Sequence, residues 1–214
     1  MKHVPISKAA VFVHGLWLNG AEFALLRRRL ARDHGIVGYR FSYPTVRGSV
    51  EQAIGMLARF VERIDAERVH FVGHSFGGVL LCRYFEKYPC TRPGRVVILG
   101  SPLTGSRSAR TVARNPLMRR MIGPLVNAEL VADCRPRTWM CQNELGVIAG
   151  TTAMGLGRFF TRFDEAFDGT VGVSETKLPG LKAHFSLPVS HMGMLASARV
   201  ARQVGVFLEQ GRFD

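Results

Sequence analysis

The sequence predicts a doubly wound α/β fold, a mostly parallel sheet with helices on both faces, and three observations point to it. Short runs rich in Val, Ile and Phe alternate with amphipathic helical stretches. The strand-like runs are apolar throughout instead of alternating, as in strands buried on both faces, and helices between them suit parallel crossovers. The 214 residues, 47% hydrophobic and 21% charged, fit one soluble domain over residues 1–214, with no Pro/Ser-rich linker or internal repeat to divide it.

Taken in order, residues 9–13 are a short apolar run ending in a glycine turn, a first strand. Lys2 and Lys8 before it faintly mimic a secretory signal, but His14 and Gly15 interrupt the apolar stretch and no convincing small-residue cleavage site follows. Residues 20–34 read as a helix with Phe23, Leu26 and Leu30 on one face and Arg27, Arg28, Arg29 and Arg32 mostly on the other. Residues 39–43 form a strand stopped by Pro44. In 50–64, Ile54, Leu57, Phe60, Val61 and Ile64 recur at the spacing of a helix that packs one stripe on a sheet. A strand over 69–73, a helix over 77–88 and a wholly apolar strand over 96–99 follow. Residues 146–149 and 184–189 are further strands, and 195–208 closes the chain as a helix.

The formal charge of +13 favours anionic partners or surfaces. The basic residues, mostly arginine, are scattered, whereas nucleic-acid arms concentrate theirs in runs, so no nucleic-acid partner is expected. No apolar run approaches the roughly 18 residues of a membrane span, and the expected location is the cytoplasm, with peripheral membrane contact allowed by the basic surface. Cys82, Cys90, Cys134 and Cys141 form no C-x-x-C pair and read as free, mostly buried thiols, with a link from Cys90 to Cys134 or Cys141 left open.

Ligands on such sheets sit at the carboxyl ends of strands, which confines the search for chemistry to residues that follow strands. The run Val69-His70-Phe71-Val72-Gly73-His74-Ser75-Phe76-Gly77-Gly78 is an apolar strand followed at once by G-x-S-x-G and a helix. Glycine at 73 and 77 leaves room where strand and helix approach closely, and the strained elbow lifts the Ser75 hydroxyl clear of the sheet. Ser75 is the candidate nucleophile. The helix N-terminus behind it adds positive potential and N–H groups that suit a developing negative charge.

A serine hydroxyl needs a base to take its proton, and position decides among seven histidines. His3 precedes the first strand, His34 ends a helix, His70 and His184 belong to strands, and the elbow points His74 elsewhere. His191 follows a strand just before the final helix and is the candidate base. The supporting acid is expected between the two in chain order. Asp168, in Phe167-Asp168-Gly169-Thr170-Val171, fits, with Asp164, Glu165 and Glu175 as competitors. An oxyanion needs preorganised donors, expected from the backbone N–H groups of Phe76 and of Leu16 in the loop after the first strand. His14 and Gly15 shape that loop, and Trp17, His14 and Met192 are expected to border the substrate, with Trp17 and Phe76 suggesting an apolar acyl pocket.

Together the blocks Val13-His14-Gly15-Leu16, Gly73-His74-Ser75-Phe76-Gly77-Gly78, Asp168-Gly169-Thr170-Val171 and Ser190-His191-Met192-Gly193-Met194 resemble the α/β-hydrolase superfamily, specifically its small lipases and esterases. The resemblance covers residues 11–208. It implies an α/β-hydrolase fold, a small-molecule or lipid ester as substrate, and hydrolysis through an acyl-enzyme on Ser75. His191 would serve as base then acid, Asp168 as its support, and the Leu16 and Phe76 N–H groups as oxyanion hole, with no metal or cofactor. The extra leading strands of larger members look absent, so a sheet of about six strands is expected. The same machinery would also suit an acyltransferase, a thioesterase or an amidase, and a catalytically silent binding protein could keep the fold.

Residues 104–137 lie where many members carry a lid or cap. Arg107, Arg110, Arg114, Arg119, Arg120, Arg135 and Arg137 stand there against Glu129 and Asp133, interleaved with Leu117, Met118, Met121, Ile122, Leu125 and Val126. This reads either as a solvated helix beside the core, with Pro116 and Pro124 as breakers, or as a basic amphipathic cover that lies on an anionic lipid surface.

Overall fold

The computed structural model describes residues 6–88, 92–132, 137–154 and 163–214. Lys2, His3, Cys90, Asp133, Cys134 and Arg135 lie outside the described residues. Six strands, β1 (Ile6–Val13), β2 (Val37–Phe41), β3 (Ala66–His74), β4 (Val96–Leu99), β5 (Leu145–Gly150) and β6 (Ala183–Leu187), form one sheet. Every pairing is parallel and the order is β2-β1-β3-β4-β5-β6. The helices are α1 (Ala24–His34), α2 (Val50–Glu62), α3 (Phe76–Lys87), α4 (Arg107–Ala113), α5 (Pro116–Val126), α6 (Gly193–Ala196) and α7 (Ala198–Gln210).

The side-chain alternation of the strands builds two cores. On one face Val11, Phe71, Ile98 and Val147 pack with Leu57 of α2, Leu80 of α3 and Leu125 of α5. On the other, Phe12, Val72, Leu99 and Ile148 pack with Leu26 and Leu30 of α1 and Val204 and Phe207 of α7. Burial on both faces explains why the strands read as continuous apolar runs.

Local chemistry sets the helix ends. Ser49 and Gln52 form a reciprocal capping box at the start of α2. The single closing helix expected over 195–208 is divided, because Ser197 leaves the helical conformation and its hydroxyl accepts the Val200 N–H at 3.3 Å to cap α7. The helix expected over 20–34 opens instead with a 3-10 turn, Ala21–Phe23. Within residues 104–137, Asn115 caps α5 and Pro116 takes the first helical position, where a missing N–H costs nothing. The other breaker, Pro124, lies inside α5, and the backbone turns out of the helix at Gly123. Cys82 and Cys141 are free thiols, and burial pushes the Cys82 thiol up to about 12. No helix among the described residues is long and apolar enough to cross a membrane.

Two predictions arise from the sheet. A Cβ on Gly77 would lie 2.1 Å from the Val13 carbonyl oxygen, a backbone atom held in the sheet. Gly77→Ala is therefore expected to cost about 2 kcal/mol or more, read as a lower urea midpoint or loss of soluble protein. His70, wholly buried on β3, accepts the Arg95 N–H at Nδ1 (3.0 Å). Burial, then the nearby Arg68 and Arg95 charges, lower its pKa to about 4. An unfolded imidazole titrates near 6.5, so between about pH 6.5 and 4 the unfolded chain takes up a proton that the folded chain refuses. Acidification across that window should remove up to roughly 3 kcal/mol of stability. His70→Asn keeps an acceptor for Arg95 and should flatten that part of the slope in urea unfolding at pH 7 and pH 4.5.

Candidate active site

The strand order reverses at β1: β2 lies on one side and β3 on the other, so the loops leaving β1 and β3 diverge and open a crevice at their carboxyl ends. Ser75 leaves β3 there with φ 54° and ψ −125°, a conformation that costs a non-glycine residue about 1–3 kcal/mol. The elbow is tied down, since the Ser75 N–H donates to Leu99 O (3.0 Å) and the Gly78 N–H to Ser75 O (3.1 Å). Phe76 opens α3, where its N–H has no carbonyl one turn earlier to bond.

The loop after β1 lies directly against the serine. A Cβ on Gly15 would sit 2.9 Å from Ser75 Cβ and 3.4 Å from Ser75 Oγ, so only glycine lets the two backbones approach this closely. Beneath it His14 is wholly buried, stacked on Tyr43 with ring centroids 4.5 Å apart. Its Nε2 accepts the Tyr43 N–H (3.2 Å), so Nδ1 carries the proton and donates to Gly15 O (2.9 Å). Burial lowers its pKa and keeps the ring neutral. The C=O and N–H of one trans peptide point in opposite directions, so holding the Gly15 carbonyl fixes the direction of the Leu16 N–H on the same peptide. His14, expected at the substrate's border, has both ring nitrogens engaged inside the protein, and the ring buttresses the loop. Trp17 is 62% exposed and Met192 49% exposed, whereas Phe76 is buried in the core and forms no open acyl pocket.

Asp168 is 1% exposed and has both carboxylate oxygens engaged. Oδ1 accepts the N–H groups of Thr170 (2.9 Å) and Val171 (2.8 Å), and Oδ2 accepts from His191 Nδ1 at 2.7 Å. The His191 backbone N–H also donates to Asp168 O (2.8 Å), so the residue is held at two points, and the carboxylate on Nδ1 places the lone pair of the neutral imidazole on Nε2. The competing acids are used elsewhere. Glu165 and Glu175 pair with Arg107, Glu175 accepts the Arg107 and Gly172 N–H groups, and Ser108 donates to Thr170 O (2.6 Å). These bonds fasten α4 to the loop that carries Asp168. Asp164 is exposed.

Sequence reasoning missed His74. Its alternation with Val72 puts it on the inner face of β3, where it meets the edge of Phe23. Nε2 donates to the His191 carbonyl at 3.0 Å, and the two imidazoles lie 4.7 Å apart. Burial, then the neighbouring His191, hold its pKa well below the usual range, so it is neutral. The residue immediately before Ser75 thus anchors the backbone of His191 at the end of the strand that carries the serine. The period-two pattern His70, Val72, His74 was the available signal. Of the other described histidines, His34 is partnered by Glu209 (3.0 Å) and His184 by Thr176 (2.8 Å), away from the crevice. Parts of this kind let a hydroxyl pass its proton to a neutral imidazole while attacking a carbonyl carbon.

The architecture recurs in solved structures. Lipase BlEst2 of Bacillus licheniformis, in its propeptide form, aligns with a TM-score of 0.75 at 17% identity, over 100% of this chain and 53% of that one. The present chain therefore spans about half the length of that lipase. Carboxylesterase CesB of Bacillus subtilis aligns with a TM-score of 0.60 at 14% identity, over 97% and 85% of the two chains. Phospholipase PlaB of Legionella pneumophila, in complex with thio-NAD, aligns with a TM-score of 0.65 at 14% identity, over 92% and 56%. At these identities the likeness is one of fold. No curated protein matches the sequence. The family model for alpha/beta hydrolases matches residues 10–204, from within β1 to within α7, and with the six-stranded parallel sheet in place the chain belongs to the alpha/beta hydrolase family.

Proposed function

We propose that this chain is a serine hydrolase that cleaves carboxylic esters, of small molecules or lipids, through an acyl-enzyme on Ser75. The observation that carries the reading is the 2.7 Å contact from His191 Nδ1 to an Asp168 carboxylate whose other oxygen is already engaged. It fixes the tautomer in which Nε2 is a base, on a residue anchored beside the Ser75 elbow. In the first half-reaction His191 takes the Ser75 proton as Oγ attacks the ester carbonyl, and the Leu16 and Phe76 N–H groups receive the negative oxygen. Collapse expels the alcohol with that proton. Water then repeats the sequence on the acyl-enzyme, returning the carboxylic acid and the free serine. Asp168 stabilises the imidazolium in both halves.

Rapid mixing with p-nitrophenyl esters of increasing chain length tests this. The reading expects a nitrophenol burst that matches the enzyme concentration and an acyl mass on the Ser75 peptide after acid quench. A folded chain that turns over no ester would remove it. Product diverted to an added alcohol, in preference to water, would assign the same acyl-enzyme to transfer.

A further inference from the structure

Helix α5 and the loops after β1 and β2 join into one exposed face beside the crevice. The Trp17 indole N–H donates to Met121 O (3.1 Å) and the Trp17 backbone N–H to Thr45 Oγ1 (3.1 Å). At Gly123 the α5 backbone rests on Val46, where a Cβ would lie 2.6 Å from Val46 Cα. These contacts hold Trp17, Val46, Leu117, Met118 and Met121 together with their side chains open to solvent, Leu117 at 66% and Trp17 at 62% exposure. Part of this face is a 570 Å³ surface hollow lined by Val46, Arg47, Leu117, Arg120, Met121 and Pro124. Trp17 itself has φ 62°, so a bulky apolar side chain is held outward on a strained backbone with its indole N–H already satisfied by protein.

The charged residues that line this hollow, Arg47 and Arg120, are both basic. Arg47, Arg114, Arg119 and Arg120 are exposed, and among the described residues none of them is ion-paired. Glu51 borders a neighbouring hollow together with Arg47, while Glu129 is paired with Arg83 and Arg137, Glu144 with Arg95, and Glu165 and Glu175 with Arg107. We infer that this face docks on the surface of an anionic lipid bilayer. Leu117, Met118, Met121 and Trp17 would enter the acyl boundary while the arginines meet the headgroup phosphates. Tryptophan and long basic side chains suit that depth, because an apolar body and a polar end are both accommodated there. The inference rests on the ester-hydrolase reading for its purpose, since the docked face adjoins Leu16 and would present the crevice to esters leaving the bilayer.

Vesicle flotation with the full chain carrying Ser75→Ala, which leaves the lipid intact, tests the surface separately from the chemistry. The protein should float with phosphatidylglycerol/phosphatidylcholine vesicles and not with phosphatidylcholine alone. The additional pairs Arg119→Glu/Arg120→Glu and Leu117→Asn/Met118→Asn should each weaken flotation by about tenfold or more, while the same pairs in the Ser75 enzyme leave turnover of a soluble short-chain ester within about twofold of the parent. Arg28→Glu/Arg63→Glu makes the same charge change on exposed positions of α1 and the end of α2 and should weaken flotation far less. Equal loss from that distant pair, binding unaffected by the face variants, or no binding to anionic vesicles would each overturn the docking face. Vesicle binding by a protein without ester turnover would keep the face and remove only the catalytic reading.

Discussion

Replacing Ser75 with alanine is expected to lower ester turnover by a factor on the order of 10⁴ to 10⁶, while the protein stays folded. Without Oγ no acyl-enzyme forms, and the remaining N–H groups give only the modest acceleration of oxyanion stabilisation. The substitution leaves intact what holds the elbow, because the bonds from Ser75 N–H to Leu99 O and from Gly78 N–H to Ser75 O are main-chain bonds. Alanine also occupies φ 54° without new contacts, so the urea midpoint should match that of the parent within about 0.5 kcal/mol. Turnover near the parental rate would mean that another residue is the nucleophile.

Asp168→Asn is expected to lower kcat by about 10⁴, through the tautomer of His191 more than through lost charge. The Thr170 and Val171 N–H groups both point at Oδ1 and require an oxygen there. The asparagine amide must therefore keep its oxygen on that side and turn its NH₂ toward His191 Nδ1. Nδ1 then accepts, the proton moves to Nε2, and the imidazole can no longer take the Ser75 proton. Steady-state kinetics separate this from misfolding, since KM for a soluble ester should change much less than kcat. A variant with kcat within about tenfold of the parent would place the supporting acid elsewhere.

What the sequence disclosed and what it withheld follow from where each residue finds its partners. The strand over 96–99 was legible to the residue because a wholly apolar run is bounded by Arg95 and by Gly100, and β4 has those limits. The edge strand expected over 39–43 lies two residues earlier, at Val37–Phe41, since its register is set by pairing with Ala9 to Val13 of β1 and Tyr43 instead spends its N–H on His14. β1 begins at Ile6, before the apolar run, because Lys8 is carried in the sheet by distant partners, the His34 carbonyl and Glu209. Ser75, Asp168 and His191 stand in short motifs with local geometric meaning, so their candidacy could be read directly. The residues that hold them could not: His14 meets Tyr43, and His74 meets the carbonyl of His191, across other strands and loops. Thr45, which orients the Trp17 backbone, carries no motif at all.

A fluorophosphonate probe asks whether Ser75 is activated by the imidazole of His191, independently of any guess about the natural ester. Peptide mapping of the labelled folded chain should place one phosphonyl group on Ser75, formed slowly in His191→Ala and absent in Ser75→Ala. An unlabelled Ser75 in protein that unfolds cooperatively, or labelling at the same rate without His191, would contradict the account.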